Sequence, residues 1–88
     1  MQIAIDISLY PLRADYAAPI IAFIRRLKGD PRIKVVTNEL STQIVGDYDL
    51  VFPVLQAAIR ESFTTAGTQV FVLKILNVDI EGGKTVEL

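Results

Sequence analysis

The first ten residues, MQIAIDISLY, alternate strictly between large apolar side chains and other residue types. Isoleucine or leucine occupies every odd position from 3 to 9, and the even positions carry smaller or polar side chains. A period of two is typical of a β-strand with one strongly apolar face. Such a face must be covered by a second layer of structure. This strand is therefore expected to belong to a sheet that a second layer covers on one face, and Pro11 is expected to end the strand.

The middle of the chain predicts a helix followed by a pair of strands. Apolar residues between Asp15 and Lys28 recur at spacings of three and four, which indicates an amphipathic helix. The stretches RIKVVTNEL (32–40) and STQIVGD (41–47) are typical of two strands joined by a hairpin. The hairpin lacks an Asn-Gly pair, so its turn type stays open.

A second helix and another strand follow. Asp47 or Asp49 can cap this helix, which is expected to run until Gly67 stops it. Residues 68–78, TQVFVLKILNV, form a strand that is apolar on both faces. Residues 84–88 can add a short fifth strand.

The order β-α-β-β-α-β predicts an α+β fold, the ferredoxin-like sandwich, in which one antiparallel sheet carries both helices on a single face. With 88 residues, the chain is long enough for one domain only, spanning 1–88. Two helices cover one side of the sheet. The other side, called the open face below, must meet water, a ligand or another subunit.

The open face is predicted to be rich in aliphatic side chains. Even-numbered residues of the first and last strands fall on it, which places Asp6 and Lys74 on neighbouring strands. A contiguous apolar surface usually marks an interface, so we expect a homo-oligomer, a dimer or tetramer, formed through this face. Asp6 and Lys74 are expected either to pair with each other or to bind a ligand. The remaining residues assigned to this face are Ala4, Ser8, Tyr10, Val70, Val72, Leu76 and Val78.

Composition excludes several classes of function. The chain has no cysteine and no histidine, so it lacks thiolate metal sites, iron–sulfur ligands and the commonest general base. A net charge of −1 without basic clusters disfavours nucleic-acid binding. No apolar run reaches the length of a membrane span, and the N-terminus does not resemble a signal peptide. We expect a cytoplasmic protein that is not an enzyme and binds no metal, cofactor, nucleic acid or membrane.

Three segments carry a resemblance to a known family. IDISLYPL (5–12), STQIVGDYDLVF (41–52) and VFVLKILNVD (70–79) occur in order across nearly the whole chain. Together they resemble the thiamine- and hydroxymethylpyrimidine-binding family, also called YkoF-like. The resemblance implies a ferredoxin-like subunit that oligomerises through its open face and holds thiamine or its pyrimidine moiety near that face, without catalysis. The alternative is a regulatory or scaffold domain that oligomerises without this ligand.

Hydroxyl groups at the start of the third strand are candidate ligand contacts. Ser41 and Thr42 can both donate and accept hydrogen bonds, which suits an aminopyrimidine edge. Because successive strand residues point to opposite faces, only one can face a pocket directly. We expect Thr42 to face the ligand and Ser41 to hold the hairpin backbone. The alternative is that both are turn formers.

The other candidate ligand residues lie on the first and last strands. Tyr10 offers an aromatic face for a ring or a thiazolium cation, although a strand-end tyrosine can also be purely structural. Asp6 can accept from an amino group, and Ser8 or Asn77 can complete the polar set. The full set of predicted ligand residues is Asp6, Ser8, Tyr10, Ser41, Thr42, Lys74 and Asn77.

Overall fold

The computed structural model describes residues 1–77 and shows the predicted order of helices and strands. The predicted fifth strand and Val78 lie outside these residues. The elements are β1 (Gln2–Pro11), α1 (Ala17–Lys28), β2 (Lys34–Thr37), β3 (Thr42–Asp47), α2 (Tyr48–Thr65) and β4 (Gln69–Leu76).

The four strands form one antiparallel sheet in the order β2-β3-β1-β4. This is the topology of the split βαβ arrangement, and it confirms the ferredoxin-like fold. β1 is central, with Asp6 opposite Gln43 on β3 and opposite Lys74 on β4. β4 lies at one edge of the sheet.

The core lies between the sheet and the two helices. Ile3, Ile5 and Ile7 are at most 2% exposed, which confirms that the odd residues of β1 face the helices. Ala4 on the open face is also buried, because it lies between Val45 and Leu76 of the flanking strands. The other buried apolar residues are Phe23, Leu27, Ile33, Ile44, Val51, Leu55 and Ala58.

Helix α1 begins at Ala17, two residues later than the sequence predicts. The reason is Pro19. In a helix that began at Asp15, the proline ring would clash with the carbonyl of residue 15 and remove a hydrogen bond. A start at Ala17 places Pro19 within the first turn, where its missing N–H has no intrahelical partner to lose.

The β2–β3 hairpin is longer than expected, so both strands are shorter. The side-chain carbonyl of Asn38 accepts hydrogen bonds from the backbone N–H groups of Leu40 (2.8 Å) and Ser41 (3.1 Å). The backbone N–H of Asn38 donates to the carbonyl of Ser41 at 3.1 Å. Asn38 therefore closes the turn, as an Asx-type bond does, and the last strand pair is Thr37 with Thr42.

Asp47 is the N-cap of α2. Its carboxylate accepts from the backbone N–H of Asp49 at 2.9 Å, which decides between the two predicted capping residues. This bond, with a further bond from the N-terminal ammonium group of Met1, lowers the pKa of the Asp47 carboxyl. The helix ends before Gly67, whose φ of 75° only glycine adopts readily.

Candidate functional site

A groove of about 430 Å³ opens at one end of the sheet, and we treat it as the candidate ligand site. Its walls are the end of β1, the β2–β3 hairpin and the inner side of α1. Its volume lies within the range of small-molecule sites, roughly 300–1,000 Å³. It is lined by Ile7, Ser8, Leu9, Tyr10, Pro11, Arg13, Tyr16, Ile20, Phe23, Ile24 and residues 37–42.

Ser41 lies at this groove and is hydrogen-bonded to Asp6. The Ser41 hydroxyl donates to Oδ1 of Asp6 at 2.5 Å, across the open face from the β2–β3 hairpin to β1. Asp6 is partly buried and does not line the groove itself. The expectation that the Ser41 side chain holds the hairpin backbone is therefore wrong, because Asn38 has that role.

Thr42 also lines the groove, but from the opposite face of the sheet. It pairs with Ile7, is 6% exposed, and its hydroxyl lies 2.9 Å from that of Thr37. One of these two hydroxyls donates to the other, and the remaining proton is free for another acceptor. Thr42 therefore borders the groove from the helix side, and Ser41 from the open side.

Ser8 and Tyr10 line the same groove, so four of the seven predicted ligand residues meet there. Tyr10 is 54% exposed, which leaves its ring accessible. Tyr16 and Phe23 add two more aromatic rings to the groove wall.

The other three predicted residues lie away from the groove. Lys74 is directly opposite Asp6 and exposed, yet no ion pair joins their side chains. Asn77 follows the end of β4, beyond Leu76, which pairs with Ala4 near the start of β1. The groove is at the other end of β1, so Asn77 and the groove lie at opposite ends of the sheet.

Charged groups of both signs surround the groove. Arg13 and Glu39 contribute to its lining, and Arg13 lies 3.6 Å from Asp15 in an exposed ion pair. Exposed pairs of this kind are weak, so the guanidinium can turn toward a ligand at small cost. Within residues 1–77, no cluster of acidic side chains has the geometry of a metal site.

Sequence reasoning missed the contribution of α1 to the groove. Tyr16, Ile20, Phe23 and Ile24 line it, whereas the spacing of the apolar residues predicts only an amphipathic helix. A possible signal was the surplus of apolar residues near the start of α1, which includes the exposed Tyr16. Periodicity alone cannot separate a groove wall from a core.

The open face carries exposed aliphatic side chains on β4. Val70, Val72 and Leu76 are between 44% and 50% exposed in the single chain. Together with Lys74 they form the β4 part of the open face, as the alternation predicts. No helix within the described part of the chain is long and apolar enough to cross a membrane.

The protein is a small ferredoxin-like α+β protein with a groove at one end of its sheet. Its sequence matches the YKOF-related family over residues 2–76, and the chain belongs to that family. No curated protein sequence matches the chain.

Solved structures share the fold over nearly the whole chain. A Streptococcus pneumoniae protein has a TM-score of 0.82 at 23% identity, covering 91% of this chain and 90% of its own. A Thermotoga maritima protein, provisionally assigned to thiamine biosynthesis or salvage, has a TM-score of 0.77 at 17% identity, covering 98% and 90%. A hypothetical protein of Methanocaldococcus jannaschii has a TM-score of 0.73 at 24% identity, covering 96% and 84%. At these identities the structures establish the fold.

Proposed function

We propose that this protein is a non-catalytic binding protein for thiamine or its hydroxymethylpyrimidine moiety, and that the groove is its ligand site. The observation that carries the proposal is the combination, in one groove of about 430 Å³, of aromatic rings with hydroxyl groups from both faces of the sheet. Membership of the YKOF-related family and the assigned role of the Thermotoga maritima protein support the same ligand class.

The chemistry of the groove suits an aminopyrimidine. Such a ring is flat, with acceptor nitrogens in the ring and an amino donor beside them. The exposed rings of Tyr10 and Tyr16 supply surfaces on which a flat ring can pack. Ser41 and Thr42 supply hydroxyl oxygens at its polar edge. Glu39 at the rim favours the positive charge of a thiazolium ring.

We propose binding without turnover because the groove offers little acid–base chemistry. The chain has no histidine or cysteine. The ionisable groups among the groove residues are Arg13, Glu39 and two tyrosines, and neither charged side chain is buried. General acid–base catalysis depends on groups whose pKa lies near the working pH, and such shifts come from burial or close charges.

Isothermal titration calorimetry with thiamine, thiamine monophosphate and hydroxymethylpyrimidine tests this function. We expect one of them to bind and Thr42→Val to weaken it by about 1 kcal/mol, the net value of a hydrogen bond, while the fold persists. The matched control is Thr64→Val, an exposed position on α2 away from the groove, which should bind like the wild type. Absence of binding at millimolar ligand would exclude the proposal.

A second candidate is a regulatory or scaffold domain whose product is the oligomer itself. The exposed Val70, Val72 and Leu76 favour it. We propose that a dimer or tetramer forms through the open face in either case. The two candidates differ in the calorimetry, since a pure scaffold leaves the groove empty at every ligand concentration.

A further inference from the structure

We infer that Asp6 is a positioning residue that fixes the Ser41 hydroxyl as a hydrogen-bond acceptor toward the groove, and that this selects ligands carrying an exocyclic amino donor over their oxo analogues. The inference rests on the proposed function and names the chemical feature that the site recognises. It starts from one contact, the 2.5 Å hydrogen bond from Ser41 Oγ to Asp6 Oδ1.

The direction of this bond follows from the chemistry of the two groups. A carboxylate has acceptor oxygens only, whereas a serine hydroxyl has a single proton and two lone pairs. With its proton donated to Asp6, Ser41 keeps lone pairs alone for a third group. A ligand that approaches Ser41 from the groove must therefore supply the proton.

The bond is strong enough to hold this direction. Its length is at the short limit for a hydroxyl donating to a carboxylate, and such charge-assisted bonds are about twice as strong as neutral ones. Asp6 is partly buried between two strands. If the bond broke, water would replace the lost donor less well than it does at an exposed carboxylate. Reversal of the Ser41 hydroxyl toward a ligand acceptor is consequently unfavourable.

The neighbouring threonine pair has no such fixed direction. Either Thr37 or Thr42 can donate to the other, so the pair can offer a proton or a lone pair to a ligand. Among the hydroxyls of Thr37, Ser41 and Thr42, the Ser41 hydroxyl is therefore the one with a fixed role toward a ligand, that of an acceptor. A 4-aminopyrimidine presents an amino donor that Ser41 can accept, whereas a 4-oxopyrimidine places an acceptor there and leaves two acceptors facing each other.

Calorimetry with two matched pyrimidines tests the inference. The probes are 4-amino-5-hydroxymethyl-2-methylpyrimidine and its 4-oxo analogue, which differ at the tested edge of the ring. We expect the amino compound to bind the wild type at least about tenfold more tightly, because the oxo compound would place an acceptor against the Ser41 oxygen and leave both without a proton. Equal affinity would overturn the inference and leave the proposed function intact. If neither compound binds, the inference fails, and the proposed function is then decided by the calorimetry with thiamine and thiamine monophosphate.

The variant Asp6→Val separates positioning from structure. Valine suits a strand and removes both acceptor oxygens, so the Ser41 proton becomes free for a ligand. In this variant the amino compound should bind at most about threefold more tightly than the oxo compound, because Ser41 then donates or accepts equally well. A purely structural effect would weaken both compounds alike and keep the ratio of their affinities. An unchanged ratio would overturn the inference.

Two further variants complete the experiment. Asp49→Asn removes the same charge at an exposed site on α2 that does not line the groove, and should keep the wild-type ratio. Ser41→Ala removes the acceptor itself, so it should weaken the amino compound about tenfold and leave the oxo compound unchanged. This variant decides the matter if Asp6→Val fails to fold, and equal weakening of both compounds would contradict the inference.

Discussion

Asp6 and Lys74 lie directly opposite each other on β1 and β4, but the carboxylate of Asp6 is hydrogen-bonded to Ser41, and no ion pair joins it to Lys74. The two side chains differ in length and exposure. The lysine is exposed and can extend its ammonium group into water, whereas the short aspartate stays close to the sheet. The hydroxyl of Ser41, which reaches Asp6 from the hairpin, is therefore a better hydrogen-bond donor to this carboxylate than the Lys74 ammonium group.

This relationship predicts unequal effects on stability. Ser41→Ala should lower the free energy of unfolding by ~1–2 kcal/mol, because it leaves a partly buried carboxylate without its donor. Lys74→Met should change it by less than ~0.5 kcal/mol, as is usual at an exposed site. Urea unfolding of both variants measures the difference. A larger loss in Lys74→Met would mean that the ion pair carries the stability.

Gly46 is expected to tolerate no side chain, although its backbone is not left-handed. A Cβ at this position would lie 2.9 Å from Cγ2 of Val51 and 3.3 Å from Cγ2 of Ile33, both buried. Gly46→Ala should therefore cost ~1–3 kcal/mol through overpacking. In urea unfolding, Gly46→Ala combined with Val51→Ala should cost less than the sum of the single changes, since the second removes the clashing methyl. Additive costs would contradict this account.

The acid limb of the stability curve should depend on Asp30. Its carboxylate accepts hydrogen bonds from the guanidinium and from the backbone N–H of Arg32, and these bonds lower the pKa of Asp30 to about 2. Since the folded-state pKa is below the unfolded value of ~3.9, the contribution is fully present above pH 4 and is lost as the pH falls toward 2. Asp30→Asn should flatten this part of the curve.

Urea unfolding at several pH values between 2 and 5 measures this dependence. The matched control is Asp15→Asn, whose exposed ion pair with Arg13 is longer, at 3.6 Å, and should leave the acid limb unchanged. If the free energy of unfolding falls equally steeply with pH in the wild type and in Asp30→Asn, Asp30 does not contribute to the loss of stability in acid.

The open face predicts a charge-sensitive oligomer. We expect light scattering to show at least a dimer, and Val72→Glu to dissociate it, because an unpaired charge in a buried interface costs several kcal/mol. The control is Ala57→Glu on the exposed side of α2, which should leave the assembly intact. A monomeric wild type at micromolar concentration, or an intact Val72→Glu oligomer, would contradict an interface on this face.

The fold was predictable because its signals are periodic. The alternation of Ile3, Ile5 and Ile7 fixes which face of β1 is buried, and the order of the elements then leaves a single common topology. The proximity of Asp6 and Lys74 follows from that topology as well. Boundaries were less predictable, as Pro19 at the start of α1 shows, since local chemistry decides them residue by residue.

The details of the site were harder to predict because they depend on the hairpin. Whether Ser41 or Thr42 faces the helices depends on where the turn ends, and a shift of one residue exchanges the two faces. Asn38 sets that point through two side-chain bonds that no periodicity reveals. The groove wall on α1 depends on the distance between the helix and the sheet end, which is a property of the packed structure.

The groove is lined entirely by residues between 7 and 42, whereas the exposed aliphatic side chains that β4 contributes to the open face lie between 70 and 76. The lining of the proposed ligand site therefore does not include β4, which carries the exposed aliphatic part of the proposed interface. We therefore expect substitutions confined to β4 to change the assembly without altering the groove lining. A gene recombined between two relatives after β3 should accordingly give a chimera that keeps the groove lining of one parent and takes the β4 surface of the other.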